Sequence, residues 1–372
     1  MAEPQYTIRS RRRPRIISLD VARGVMLVVS VLSASLVTSP LPSAFTHSPW
    51  YGAHFLDLVF PVFVTMSGVG FAFAYATRVR GVIVLRRSLV LILLGLGYTA
   101  VTTHTYNLAD LRFTGVLQLY GVLAFAQGLL HWKIKTWRGW FRWTTLLVAA
   151  LTALHAAWPP IVCGMDGLTQ TCNPSLYLDV NVFGLHHIYK HGLAGHDPEG
   201  LISTLGALLS MSAGTTLGHL LLQARQTGKR PVQAVSFLLM YCATLGAGLS
   251  LFVEPFKRLW TPSFALLACV PALALVILFW MLLDKPGDDY PPYPPLALQP
   301  LQSLGKNSLF VYFGSHLFIA MVMYGSTPEH PAWPVIAAER IGFAPWGFAI
   351  ICVFAWTLLA ILLDRYKIYI RA

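Results

Sequence analysis

Ten apolar stretches, each about 20 residues long, run through the sequence and are separated mostly by short polar connections. An α-helix needs about that many residues to cross the hydrocarbon core of a bilayer. The stretches lie near residues 16–37, 54–77, 83–104, 113–131, 143–161, 201–223, 232–254, 262–283, 304–324 and 346–364. Because a spanning segment must satisfy its backbone hydrogen bonds internally, the pattern predicts an all-α polytopic membrane protein with about ten transmembrane helices in one bundle.

The composition agrees with a location in lipid. Of the 372 residues, 56% are hydrophobic and only 11% are charged, and the mean hydropathy is +0.61, whereas soluble domains are about 25% charged. The formal net charge of +12 does not predict binding to nucleic acid. The basic residues fall in short blocks between apolar stretches, where membrane proteins carry them.

These basic blocks predict the orientation of the bundle. Lysine and arginine concentrate in alternate connections, and in membrane proteins that excess marks the cytoplasmic side. The opposite connections hold only Arg112, Lys190, Lys257, Arg258 and Arg340. Both termini are therefore predicted to be cytoplasmic, with a basic tail at 1–15 and a transmembrane domain at 16–372.

Two connections are longer than the others. The external loop 162–200 holds Cys163 and Cys172, which we predict to form a disulfide because that compartment is oxidising; two free thiols are the alternative. The cytoplasmic connection 284–303 is rich in proline, which predicts an extended tether. The sequence offers no usable N-glycosylation sequon, and this favours a bacterial inner membrane.

The first candidate for chemistry is the segment HSPWYGAHFLD at 47–57. His47 precedes the second apolar stretch on the predicted external side, and Asp57 lies near the start of that stretch. Ionisable groups at membrane depth usually face a cavity or a partner, and a histidine beside a carboxylate is a common acid–base arrangement. Trp50 and Tyr51 also fit an interfacial aromatic belt, so residue types alone leave a structural role open.

Three further segments place polar residues at or near an apolar stretch. SLDVARG at 18–24 puts Asp20 and Arg23 on one helix face, either as an ion pair or to hold an anionic ligand. HDPEG at 196–200 has the chemistry of a helix start; nearby histidines raise the question of zinc, but no HExxH carboxylate is present and we predict no metal. GKNSLFVYFGSHLF at 305–318 supplies polar groups that either join helices or line a substrate path.

Taken together, these motifs resemble one family. SLDVARG, HSPWYG leading to DLVFPVFVTMSG, RFTGVLQLYG, HHIYKH, DPEGLISTLGALL and GKNSLFVYFG follow the order and approximate spacing of the transmembrane heparan-α-glucosaminide N-acetyltransferase family, with its bacterial relatives in the wider transmembrane acyltransferase group. The resemblance covers nearly all of the chain from about residue 15. It implies transfer of an acetyl group from cytosolic acetyl-CoA to the amino group of an extracytoplasmic amino sugar or glycan.

The resemblance also implies roles for individual residues. His47, with Trp50 and Gly52, matches the H-x-x-W-x-G segment that holds the family's active histidine, and Asp57 matches the carboxylate that follows it. By this resemblance, Arg112, Gln118, Asn307 and Ser315 are expected to contact acetyl-CoA. Arg23, Arg86 and Arg87 are expected to contact it because of their charge and predicted positions. The residues expected to contact the acceptor are Trp50, Asp197, His187 and His316.

Some of these assignments have competing explanations. Arg86 and Arg87 lie at the predicted cytoplasmic mouth, where they suit nucleotide phosphates, but positive-inside anchoring also accounts for them. The chain departs from the lysosomal member of the family at Leu119, where that enzyme has an arginine. It departs again at Ser315, where the family histidine is replaced and His316 follows.

Two catalytic routes are compatible with His47. It either removes a proton from the acceptor amine or carries the acyl group as an acyl-imidazole, and we favour the direct route because both need a base and no second one is evident nearby. O-acylation of an envelope glycan and secondary transport are the alternative functions. The predicted partners are acetyl-CoA, the acceptor and membrane lipid, and the family also suggests a homodimer. The predicted location is the bacterial inner membrane, with His47 facing outside.

Overall fold

The computed structural model describes residues 16–38, 40–76, 78–164, 167–284, 294–341, 343 and 345–370. Over these residues the protein is all-helical, with thirteen α-helices, short 3-10 and π turns, and no strand. The predicted basic tail at 1–15 and residues 285–293 of the predicted tether lie outside the described residues. The prediction of an extended chain is wrong for the end of that tether, where an α-helix spans Gln299–Lys306.

The helices follow the apolar stretches closely. In chain order they are α1 (Ile17–Ala34), α2 (Phe55–Ala74), α3 (Gly81–Thr103), α4 (Val116–Lys133), α5 (Trp137–Trp158), α6 (Pro174–Phe183), α7 (Leu201–Thr227), α8 (Val232–Leu249), α9 (Pro262–Leu283), α10 (Gln299–Lys306), α11 (Ser308–Val322), α12 (Trp333–Ile341) and α13 (Trp346–Arg365). Each predicted stretch overlaps one helix of at least 15 residues, while α6, α10 and α12 are short additions.

Among the described residues, eight helices are long and apolar enough to cross a membrane: α1, α2, α3, α5, α7, α8, α9 and α13. The predicted all-α polytopic membrane fold is thereby confirmed. Helix α11 is apolar but has only 15 residues, and α4 carries Gln118, Gln127 and His131 within its 18 residues. The total of ten crossings and the cytoplasmic termini remain predictions.

Helix α7 lies at the centre of the bundle, and 20 of its 27 residues are buried. It packs against α2, α4, α5 and α9. Glycines allow the closest approach: a Cβ atom at Gly68 of α2 would overlap the carbonyl oxygen of Met211, and one at Gly214 of α7 would overlap that of Thr65. Small residues at such contacts let membrane helices pack backbone to backbone. Helix α2, which begins just after the HSPWYG segment, is therefore fixed firmly in the bundle.

The connections form two ends of the bundle. At the basic end, the start of α3 lies beside the end of α4, and the junction of α10 and α11 lies beside the end of α13. Lys306 Nζ, for example, lies 2.8 Å from Asp364 Oδ2. Here Asp284 also accepts hydrogen bonds from the backbone N–H groups of Ile17 and Ser18, at 3.2 and 3.0 Å, satisfying donors that a helix start leaves unpaired.

The opposite, histidine end carries the segment 47–54 and the long loop between α5 and α7. In that loop the predicted disulfide is confirmed: Cys163 and Cys172 are bonded, with their Cα atoms 6.0 Å apart. Directly after it, Asn173 caps α6 by accepting from the backbone N–H of Leu176 at 2.9 Å and donates to the carbonyl of Gly195 at 2.7 Å. The disulfide and this asparagine tie the loop onto the start of α7.

Candidate active site

His47 and Asp57 are in contact at the histidine end. His47 Nδ1 lies 2.7 Å from Asp57 Oδ1, and Asp57 Oδ2 accepts from the backbone N–H groups of Ser48 at 3.0 Å and His54 at 2.9 Å. Because the carboxylate is the acceptor of all three, Nδ1 donates and the lone pair of the ring is on Nε2. The side chain of His47 is 51% exposed and that of Asp57 is fully buried, so a fixed buried group supports a reachable imidazole.

Local backbone chemistry accounts for this arrangement. Asp57 is the third residue of α2, where the N–H groups of the first turn have no helical partner, and its carboxylate takes the N–H of His54 just before the helix. The chain turns back at Gly52, whose φ of +73° is left-handed and readily adopted only by glycine. The first residue of the H-x-x-W-x-G segment, His47, is therefore held by a carboxylate at the helix start, and its last residue, Gly52, is required by the turn.

A second connection, between α8 and α9, holds the histidine segment from the other side. Arg258 Nη2 donates to the carbonyl oxygen of Ser48 at 2.8 Å. The rings of Trp50 and Tyr51 each lie 5.4 Å from that of Phe256, centroid to centroid. Trp50 is only 5% exposed, so its ring packs the segment down, while Tyr51 remains exposed beside it.

Arg112 and Asp197 form an ion pair at the same end. Arg112 Nη2 lies 2.6 Å from Asp197 Oδ1 and 2.6 Å from Glu199 Oε2, and Thr114 Oγ1 donates to Asp197 Oδ2 at 2.5 Å. The backbone N–H of Tyr189 also reaches Asp197 Oδ2, at 2.8 Å. This fully buried carboxylate joins the loop before α4 to the loop before α7.

Two neighbouring groups have displaced pKa values. Burial raises the pKa of Asp179 to about 6, although Ser175 Oγ and the backbone N–H of Leu201 donate to its carboxyl group. Burial lowers the pKa of His196 to about 4, so this ring is neutral near pH 7. Its Nε2 is buried without a hydrogen-bond partner, and its ring lies 5.5 Å from that of Trp50.

The histidines of the HHIYKH segment have separate partners. His187 Nδ1 lies 2.8 Å from the carbonyl oxygen of Leu111, and its ring stacks on Phe113 at 4.0 Å. His186 Nδ1 lies 3.1 Å from Asp110 Oδ1. Within the described part of the chain, no group of three or more His, Cys, Asp or Glu side chains has the arrangement of a metal site.

A cavity of about 890 Å³ lies toward the basic end. Its lining includes Arg23 from α1, Arg86 and Arg87 from α3, and Lys306. Along α2 the lining extends from Ala74 to Phe60, which is about 21 Å at 1.5 Å per residue. The deeper wall is aromatic and consists of Phe60, Phe63, Tyr120, Tyr312 and Phe313. The cavity thus changes from basic to aromatic in the direction of the histidine end.

The lining ends near His47 without including it. Phe60 is three residues from Asp57 on α2, and residues three apart share one face of a helix. Neither His47 nor Asp57 belongs to the lining. The deep end of the cavity therefore lies about one helical turn along α2 from the histidine–carboxylate pair.

Four other predicted site residues make contacts within or between helices. Gln118 lies between Gly95 and Gly115, with Nε2 3.5 Å from Thr99 Oγ1. The remaining three are at the start of α11 or in it: Asn307 accepts from the N–H of Ile370, Ser315 Oγ donates to the carbonyl oxygen of Tyr312, and His316 Nδ1 lies 2.8 Å from the same oxygen. His316 also stacks on the cavity-lining ring of Tyr312 at 4.4 Å.

The predicted residues thus separate by location. At the histidine end are His47, Trp50, Asp57, Arg112, His187 and Asp197; at the cavity are Arg23, Arg86 and Arg87; in helix contacts are Gln118, Asn307, Ser315 and His316. Arg112, expected at acetyl-CoA from the resemblance, lies at the end of the bundle away from the cavity arginines.

Sequence reasoning missed the contribution of the α8–α9 connection. Its Lys257–Arg258 pair is the one place where two basic residues adjoin in the predicted external connections, and this was the available signal. Burial lowers the pKa of Lys257, with the charge of Glu199 opposing that effect. The roles of Phe60 and Tyr120 in the cavity wall had no signal, because aromatic residues are frequent in every apolar stretch.

The fold and the site define a class: a polytopic helical membrane protein with a supported histidine at one end and a basic cavity toward the other. A family model described as heparan-alpha-glucosaminide N-acetyltransferase, catalytic, matches residues 15–197. This range includes His47, Asp57 and the Arg112–Asp197 pair, whereas Arg258 and the helices from α7 onward follow it.

Curated relatives extend the similarity over most of the chain. The human heparan-alpha-glucosaminide N-acetyltransferase is 23% identical over 374 aligned positions, covering 82% of this chain and 53% of the human protein. The mouse protein of the same name is 24% identical, covering 84% of this chain and 55% of its own length. The chain therefore spans about half the length of the curated relatives it matches. These matches confirm the resemblance to the heparan-α-glucosaminide N-acetyltransferase family that the motifs indicated.

Proposed function

We propose that the protein is a membrane N-acetyltransferase that moves an acetyl group from acetyl-CoA to the amino group of an amino sugar or glycan on the other side of the membrane. The observation that carries this proposal is the His47–Asp57 pair, with a buried carboxylate on Nδ1 and the imidazole exposed. The names of the relatives support the acetyl group and the amine as the chemistry.

The cavity supports acetyl-CoA as the donor. Arginine side chains bind phosphates well because the guanidinium group presents several fixed donors, and Arg23, Arg86 and Arg87 all line the basic part. A volume of about 890 Å³ lies within the range of roughly 300–1,000 Å³ typical of small-molecule sites. With its phosphates at the arginines, the donor would extend its pantetheine arm toward Phe60 and bring the thioester near the histidine end.

The reaction needs one base and no additional reactant. The acceptor amine attacks the thioester carbonyl, a C–N bond forms and the C–S bond breaks. His47 Nε2 takes the proton that the nitrogen loses and returns it to the departing CoA sulfur, so the products are an amide and free CoA. Asp57 holds the ring in the required tautomer and stabilises its protonated form.

The predicted orientation completes the proposal. With the basic end in the cytoplasm, acetyl-CoA enters from the side where it is made, and the acceptor reaches His47 from outside. We expect this arrangement in a bacterial inner membrane.

The proposal is tested with protein purified in lipid nanodiscs, isotopically labelled acetyl-CoA and a panel of amino sugars, with products identified by mass spectrometry. Wild type is expected to form a labelled amide. His47→Ala is expected to lower transfer by at least about 100-fold, as loss of a general base does, while CoA binding is retained. His186→Ala, which removes an exposed histidine from the same end, serves as the matched control.

Three results would contradict the proposal. These are substantial transfer by His47→Ala, an ester product on a sugar hydroxyl, or solute flux across the membrane with no need for acetyl-CoA. If wild type formed an acetyl adduct on His47 in the absence of acceptor, this would indicate the acyl-imidazole route and not the direct one.

A further inference from the structure

The aromatic wall at the deep end of the cavity centres on Phe60. Its ring centroid lies 5.8 Å from that of Tyr120 and 5.4 Å from that of Trp260, both in edge-to-face geometry, an arrangement favourable for aromatic pairs. Phe60 and Tyr120 line the cavity, whereas Trp260 is 1% exposed and lies behind Phe60. The three rings come from α2, α4 and the connection before α9.

The wall has rigid support. Trp260 Nε1 donates to Ser210 Oγ at 3.1 Å, and a Cβ atom at Gly206 would overlap the carbonyl oxygen of Trp260. Tyr120 belongs to α4, which packs against α3 and α7. Since Trp260 is fixed against α7 and Tyr120 lies in a packed helix, the ring of Phe60 cannot be displaced far without disrupting packed neighbours.

The position of Phe60 relates the wall to the chemistry. It lies one helical turn below Asp57 and at the far end of the lining from the arginines. A donor whose phosphates bind the arginines would therefore have its acyl group against this ring. The space left between Phe60 and Tyr120 would limit the size of the acyl group and would not affect the binding of any other part of the donor.

We propose that Phe60 determines which acyl groups the protein transfers, by limiting the space beside the thioester to a short chain. This inference rests on the proposed function. The substrates concerned are short-chain acyl-CoA thioesters, and removal of the ring would admit longer straight-chain acyl groups. Phe60 is in this sense a specificity-determining residue, distinct from the base His47.

Phe63 supplies a matched control. It lies in the same helix and lines the same cavity one turn closer to the basic end, where its ring is 5.6 Å from that of Tyr312. Phe63→Ala removes a ring of the same size from the part of the wall expected to face the pantetheine arm. General loosening of the helix bundle would change the selectivity among acyl-CoA donors in both variants. Loss of an acyl-size limit would change it only in Phe60→Ala.

The test compares acetyl-, butyryl- and hexanoyl-CoA as donors to one amino sugar, in the nanodisc assay, for wild type, Phe60→Ala, Phe60→Leu and Phe63→Ala. The ratio of kcat/KM for hexanoyl-CoA to that for acetyl-CoA is expected to rise at least about tenfold in Phe60→Ala, since a few methylene groups in an apolar site give such factors. Phe60→Leu is expected to show a smaller rise in the same direction, and Phe63→Ala a ratio within about twofold of wild type.

The outcomes separate the inference from the proposed function. If wild type transfers acetyl groups but the ratio is unchanged in Phe60→Ala, or rises equally in Phe63→Ala, then the role of Phe60 is refuted and the function stands. If wild type transfers no acyl group from any donor, the proposed function itself fails. Should Phe60→Ala not yield folded protein by size-exclusion chromatography, the ratio in Phe60→Leu decides.

Discussion

The two ends of the bundle use charged residues in opposite ways. At the histidine end, the carboxylates are surrounded by donors: Asp57 accepts from His47 and two backbone N–H groups, and Asp197 accepts from Arg112, Thr114 and Tyr189. At the other end, basic side chains line one part of an open volume of about 890 Å³. Prearranged groups suit a reacting centre, and a basic cavity suits the binding of a large anion. Under the proposed function, catalysis takes place at the first end and the donor binds at the second.

The sharpest way to break this comparison is Asp57→Asn. The amide cannot replace the negative charge that fixes the tautomer of His47 and stabilises the imidazolium, so kcat is expected to fall by about 10³–10⁴, as in other histidine–carboxylate sites. Binding of CoA, measured by calorimetry, is expected to stay within about twofold of wild type. A variant that kept most of its kcat would remove the carboxylate from the mechanism.

The donor end is tested by the double variant Arg86→Ala and Arg87→Ala. Contacts to charged groups contribute roughly 1.5–3 kcal/mol each, so the Kd for CoA is expected to rise at least about 100-fold. The kcat at saturating acetyl-CoA should change little, in contrast to Asp57→Asn. Lys229→Ala, an exposed basic residue in the loop after α7 at the same end, is the control; equal losses in both would indicate surface charge rather than a defined site.

The smallest expected effect concerns Arg258 and tests whether the α8–α9 connection belongs to the catalytic end. Arg258→Ala removes the donor to the Ser48 carbonyl and should lower kcat about tenfold, because loss of one charged hydrogen bond allows the His47 segment to move. The KM for acetyl-CoA is expected to stay near the wild-type value, and Arg258→Lys should recover part of the kcat. Arg340→Ala is the matched control; a rise in KM without a change in kcat would exclude a positioning role for Arg258.

Most of the helices could be predicted because length and apolarity alone define a membrane segment. The break between α10 and α11 could not: residues 304–324 form one apolar stretch in the sequence, yet Lys306 ends one helix and Ser308 begins the next. The packing of α1 against α10 explains part of this division, since a Cβ atom at Gly305 would overlap the carbonyl oxygen of Asp20. Such a tertiary contact leaves no periodic signal.

The candidate site shows the same division between local and distant information. His47 and Asp57 are ten residues apart at one helix start, and their pairing could be expected from local chemistry. Arg112 and Asp197 are 85 residues apart, and Arg258 and Ser48 are 210 apart; their contacts depend on how α4, α7 and α9 pack. The cavity likewise depends on side chains from several helices, so neither its volume nor the position of Phe60 follows from spacing.

The most direct test of the division between the two ends uses sealed vesicles containing the protein in a single orientation. Acetyl-CoA is supplied only on the side of the basic end, and a membrane-impermeant amino sugar only on the side of the histidine end. The labelled amide is expected on the acceptor's side, with free CoA released on the donor's side. Formation of amide only when both substrates share one side would contradict transfer between the two ends.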